Sequence, residues 1–266
     1  MKKFFSLVFF IMFTSLAFTQ QFSEAIEDNS FFIEEAYNQD PGVVQHILNS
    51  LYDQSTKDIV TTFTQEWPFP SQLHQVSYTL SYLSLGGGAK GIGDILLNYR
   101  YQLWDDKNWA WIAPRFSLLL PTGKASQGLG DDEFGYQLCI PASKRWSNEF
   151  VVHLNAGVTL LPDKKETFGA TEYKKSLLSY FVGASGILLL NEHLNIMLEA
   201  LFNYDAEIQS SGAVEYTGTA ILSPGIRYAV NIGELQIVPG IAVPIQFQSS
   251  STTLQVFGYL SFEHPF

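Results

Sequence analysis

Gly86-Gly87-Gly88-Ala89-Lys90-Gly91 satisfies G-x-G-x-x-G, the spacing with which a glycine loop cradles a nucleotide phosphate. That chemistry needs a helix directly after the glycines, because the N–H groups of its first turn hold the pyrophosphate. Here the glycines open instead into Ile95, Leu97, Tyr99, Tyr101 and Leu103, which recur with period two. Period two is the spacing of a strand. The loop therefore joins two strands, and no phosphate site is expected.

Other residues with chemical potential are scattered. Asp131, Asp132 and Glu133 stand together in "GLGDDEFG", without the alternating ligand spacing of a calcium loop. Thr122-Gly123-Lys124 lacks the upstream glycine of a phosphate loop. The histidines at 46, 74, 153, 193 and 264 show no metal-ligand spacing along the chain. There is no G-x-S-x-G elbow. His153 with a serine and an acid would make a lipase-like triad only if the fold assembled one, which spacing does not test. No metal and no cofactor is expected.

The elements that must position such residues are strands. In "QVSYTLSYL", Val76, Tyr78, Leu80 and Tyr82 alternate with Gln75, Ser77, Thr79 and Ser81. Residues 150–160 and 194–204 alternate in the same way. The runs last about ten residues or more, where a globular strand averages ~5–6 and a tilted membrane-spanning strand needs ~9–11. Their connections fall into two alternating classes: short (68–71, 105–108, 147–148, 191–192, 231–233) and mostly longer (84–91, 122–133, 162–175, 205–217, 248–252). That asymmetry marks a bacterial outer-membrane barrel, with short periplasmic turns and longer outer loops.

Composition agrees. Charged residues make up 15% of the chain, against a usual ~25%. Mean hydropathy is nevertheless only +0.06, and after residue 20 no apolar run is long enough for a spanning helix. The net charge of −11 argues against nucleic acid as a partner. A single cysteine, Cys139, excludes an intramolecular disulfide. All five tryptophans (67, 104, 109, 111 and 146) lie beside short turns, as an interfacial girdle would.

The ends of the chain carry their own signals. "MKKFFSLVFFIMFTSLAFTQ" has two lysines, an apolar run and small residues, the pattern of a secretory signal peptide over residues 1–20. Residues 21–41 are expected as a periplasmic segment, with a short helix over 30–38 capped by Ser30. Residues 42–266 are expected as the barrel. Eleven strands are clear from residue 57 onward, and an even count requires one more. Residues 42–52, whose alternation is poor, are the only candidate, and the fold class is an all-β, up-and-down barrel of twelve strands. The terminal Phe266 has the place of the signal read by the barrel-assembly machinery.

With apolar faces toward lipid, the opposite faces line the lumen. The inward charged positions are Glu66, Asp94, Arg100, Arg115, Glu199, Arg227 and Glu263, with His153 beside them in character. A buried charge needs a partner, so Arg100, Arg115 and Arg227 are expected either to meet Glu66 and Glu199 in one cluster or to border water. Such a cluster packs the lumen, or sets which solutes pass.

Four stretches, "IEEAYNQDPGVVQHI" (33–47), "TTFTQEWPFP" (61–70), "GIGDILLNYRYQL" (91–103) and "PRFSLLLPTG" (114–123), resemble the bacterial outer-membrane family called the MetA-pathway of phenol degradation family. The resemblance implies a channel or transporter for aromatic or other hydrophobic compounds and carries over no catalytic residue. The expected partners are outer-membrane lipid, the barrel-assembly machinery and a small solute. A lipid-acting barrel enzyme and a structural or adhesive barrel are the alternatives.

Overall fold

The computed structural model describes residues 30–105 and 107–265. The expected signal peptide and Phe266 lie outside the described residues.

Twelve antiparallel strands follow one another around a closed sheet. They are Val43–Asp53, Ile59–Pro68, His74–Ser84, a fourth in two pieces (Lys90–Ile92 and Ile95–Tyr101), and a fifth in two pieces (Trp111–Ile112 and Arg115–Leu120). Then come Gly135–Arg145, Phe150–Phe168, Thr171–Leu189, Leu194–Ile208, Val214–Tyr228, an eleventh in two pieces (Leu235–Ala242 and Ile245–Gln248), and Ser251–Pro265. The first strand pairs with the twelfth along its length, from Val43 opposite Pro265 to Asp53 opposite Gln255. Closure leaves the barrel without edges, the condition for a sheet to cross a bilayer. The breaks in the fifth and eleventh strands fall at Ala113-Pro114 and Val243-Pro244, where proline removes a ladder donor.

The faces sort as alternation requires. Leu97, Tyr99 and Leu103 lie on the outside, 45%, 42% and 54% exposed. Their neighbours Arg100 and Gln102 are buried. The poorly alternating residues 42–52 do form a strand, because its inner side carries Gln45 and Ile47, both buried. Trp109 and Trp146 stack edge to face at 6.0 Å on the short-turn side, with the Lys144 ammonium over both rings.

Two expectations are corrected. Residues 162–175 and 205–217 are not long loops, since the flanking strands run on through them as paired ribbons. The seventh and eighth strands reach 19 residues each and turn at Gly169, whose φ of 64° suits glycine. Lys164, Lys165, Lys174 and Lys175 stand in these extensions and give them polar side chains on both faces. Backbone pairing there continues after the alternation ends. The helix over residues 30–38 is also absent. That stretch is a series of bends, and it lies inside the barrel.

Candidate functional site

Residues 30–39 form a strap across the lumen. A chain entering a barrel brings backbone N–H groups that must find acceptors. The wall supplies them from inward side chains. Glu199 Oε1 accepts from the N–H groups of Phe31, Phe32 and Ile33 at 3.1, 2.8 and 3.1 Å. Asn155 Oδ1 accepts from Glu34 at 2.8 Å, and Ser143 Oγ from Ala36 at 2.7 Å. Gln102 Oε1 accepts from Asn38 at 3.1 Å, and Gln75 Oε1 from Gln39 at 2.8 Å. The acceptors come in turn from the ninth, seventh and sixth strands, from the residue just past the fourth, and from the third, so the strap spans the barrel's width.

Charge fixes its middle. Arg100 and Arg115 are directly opposite each other on the fourth and fifth strands, a like-charge pair that needs anions. The strap brings them. Arg115 Nε and Nη2 donate to the two Glu34 oxygens at 2.8 and 2.6 Å, a bidentate fork. Arg100 Nη1 donates to Glu35 at 2.8 Å and to the Tyr37 carbonyl at 3.1 Å, and Nη2 reaches Glu34 at 3.3 Å. Burial pushes the Glu34 carboxyl upward, but Arg115 and then Arg100 outweigh it and hold the carboxyl below the usual carboxylate range.

The strap's leading end is held by shape. Phe31 packs on Phe257 and Tyr259, each at 5.3 Å between ring centres. It sits against Gly225 and Gly240, where an added Cβ would come within 2.3 and 2.7 Å of its ring. Val151, Ile187, Met197 and Val238 complete the same buried cluster. The inward surface is therefore not polar throughout, as alternation implied, but polar on one side and apolar beneath Phe31.

The expected site residues divide accordingly. Arg100, Arg115, Glu199 and His153 all serve the strap. His153 Nδ1 meets Ser143 Oγ at 2.7 Å, and its imidazole lies edge-on to the Tyr37 ring at 5.9 Å. This serine–histidine pair is buried inside the barrel, with its hydroxyl taken up by the strap, so it does not face lipid as a lipid-acting triad would. Glu66 accepts from Gln75 at 2.7 Å, which in turn binds Gln39. Glu263 meets Gln45, which binds Gln39 at 2.9 Å. Arg227 Nε donates to Asn195 at 3.3 Å, away from the other two arginines.

Asp94 belongs elsewhere. It accepts from the Gly123 and Asp131 N–H groups, both at 2.8 Å, and holds the 122–133 loop. The five charges expected to meet fall into two groups, with Glu66 in electrostatic reach of Arg100 and Arg115 and Glu199 in reach of Arg227. The missing partners, Glu34 and Glu35, stand in the segment read as a helix outside the barrel. Glu34 and Glu35 lie on no alternating strand, so parity along the sequence gave no sign of them.

Two cavities flank the strap. One of about 250 Å³ lies toward the first five strands and is lined by Asn49, Thr62, Glu66 and Asn98 among others. One of about 600 Å³ lies toward the sixth to ninth strands, with Gln137, Asn155, Leu201 and Asp205 in its wall. Phe32, Ile33, Glu34 and Arg115 line both, so the strap and its ion pair form the partition. Beside them, Gln45, Gln75, Asn195 and Arg227 are buried to 2% exposure or less.

Comparisons of the sequence with protein-family models and with curated proteins find no match. Solved structures do match. The COG4313 outer membrane channel from Pseudomonas putida F1 superposes with a TM-score of 0.66 at 13% identity, over 87% of this chain and 98% of that one. The NanC porin matches with a TM-score of 0.57 at 6% identity, over 82% of this chain and 98% of that one. At these identities the likeness is one of fold: this chain is a closed twelve-stranded barrel of the outer-membrane kind.

Proposed function

We propose that this protein is an outer-membrane channel for small solutes and that residues 30–39 are its closure. The observation that carries the reading is the pairing of Arg115 and Arg100 with Glu34 and Glu35, which holds a strap across a barrel whose outside is apolar. A closed apolar-coated barrel needs lipid around it, and the barrel-assembly machinery would insert it by reading Phe266. Cleavage of residues 1–20 on export would leave the strap near the mature N-terminus. Solutes with both apolar and polar surface suit cavities that set Phe32, Ile33 and Leu201 against Gln137 and Asn155. The resemblance of residues 33–47, 61–70, 91–103 and 114–123 to the phenol-degradation family supports aromatic or hydrophobic solutes. The similar structures being a channel and a porin supports transport.

The test is conductance in planar bilayers, with solute flux into liposomes alongside. Wild type should show small or rare openings. A chain lacking residues 30–39, and the Glu34→Gln/Glu35→Gln variant, should open more widely while still folding as heat-modifiable barrels. Folded variants that conduct no more than wild type would overturn the strap as closure. Absence of both conductance and flux in every form would overturn the channel.

A further inference from the structure

The histidines that show no spacing along the sequence are not all apart in space. His46 lies near the start of the first strand and His264 near the end of the twelfth. Their Nε2 atoms are 3.3 Å apart across the seam that closes the barrel. Gln45 and Ile47, on either side of His46, are buried inside. Glu263, beside His264, reaches inward to Gln45. Both imidazoles therefore stand on the outer surface, at the short-turn end.

We propose that His46 and His264 form a divalent transition-metal site that clips the first strand to the last. Three features carry this beyond two adjacent rings. The first is distance: two Zn–N bonds of about 2.0–2.1 Å at a tetrahedral angle place their nitrogens about 3.3–3.4 Å apart. The second is tautomer. His264 Nδ1 lies 2.8 Å from the Pro265 carbonyl, which only accepts, so Nδ1 carries the proton and Nε2 presents its lone pair. A carbonyl that accepts from the far nitrogen in this way is the usual support of a metal-ligating imidazole. The third is orientation. The His46 ring stacks on Phe262 at 4.5 Å and 22° and on Phe63 at 6.0 Å and 24°. Its plane lies within 22° of that of His264. Metal binding turns this head-to-head contact into a chelate through both Nε2 atoms, with the His46 proton passing to Nδ1, a buried nitrogen that has no hydrogen-bond partner among the described residues.

Among the described residues no three His, Cys, Asp or Glu side chains converge on a metal. The protein thus supplies two ligands, and water at the interface supplies the rest. Imidazole donors suit Zn²⁺, Cu²⁺ and Ni²⁺. Because the clip joins strands at opposite ends of the chain, metal binding should stabilise barrel closure itself.

The test uses the untagged full chain in detergent and Zn²⁺ alone. Calorimetric titration should give one Zn²⁺ per barrel. Zn²⁺ should also raise the temperature at which the compact band converts to the unfolded one on a gel. His46→Gln and His264→Gln should each fold and each lose both the binding and the shift. His193→Gln, in the turn before the ninth strand, should keep them. No binding to wild type, or an unchanged shift in both seam variants, would overturn the site. Should either seam variant fail to fold, the other decides, and a retained shift in it overturns the proposal equally.

Discussion

Glu34 and Arg115 are 81 positions apart in sequence, yet their side chains meet through two parallel hydrogen bonds of 2.8 and 2.6 Å inside the barrel. The pair touches both cavities and stands between them. What the strap does to the path is therefore controlled by charge as well as by bulk.

Replacing Arg100 or Arg115 by Ala should change ion preference. Each removes a fixed cation from the partition and leaves Glu34 or Glu35 without its main partner. Breaking a buried pair from one side costs about 3–5 kcal/mol, and because Glu34 keeps 27% side-chain exposure the lower end is expected. Reversal potential under a salt gradient is the measurement. Leu97→Ala, facing lipid, should leave it unchanged. Equal reversal potentials in wild type and both arginine variants would leave these residues as scaffold.

Filling the Phe31 socket should release the leading end of the strap. An added Cβ at Gly225 comes within 2.3 Å of the ring, so Gly225→Val cannot coexist with a docked Phe31. Phe31→Ala empties the socket instead, at a cost of about 3–5 kcal/mol for a buried phenylalanine. Both should raise open probability and speed proteolysis near residue 31. A protected strap in both variants would show that the ion pairs suffice.

Glu199 is the acceptor for three successive N–H groups, and its two replacements should differ. Glu199→Gln keeps an Oε1 acceptor and should loosen the strap little. Glu199→Ala leaves three buried donors without it, each worth about 1–3 kcal/mol when unsatisfied. Hydrogen exchange at Phe31, Phe32 and Ile33 reads this directly. Similar protection in both variants would mean that water replaces the carboxylate.

Docking should depend on pH in a definite direction. The Glu34 carboxyl is held below its ordinary value by Arg115 and Arg100. The stabilisation it gives is therefore complete above the free-glutamate value of about 4.3 and is lost as pH falls through the lower docked value. Conductance should stay low from neutral pH to about pH 4 and rise only on further acidification. Glu34→Gln should remove that step. A rise at higher pH would point to another group.

The sequence determined the wall and the solvent on each side of it. Period two in residues 75–83, 150–160 and 194–204 forces strands with one apolar face, and the alternation of short and longer connections marks a barrel of the outer-membrane kind. It also placed Arg100, Arg115, Glu199 and His153 on the inner face, since parity alone decides that. Tertiary structure decided what those residues hold. Residues 30–38 have the composition and N-cap of a helix. Inside a barrel, however, their N–H groups can bond to acceptors spread around the wall, on four strands and just past a fifth, and no local rule contains those partners. The same reason hid Glu34 and Glu35 as the counter-ions, and His46 beside His264: each contact joins residues far apart in the chain, brought together only in the folded barrel.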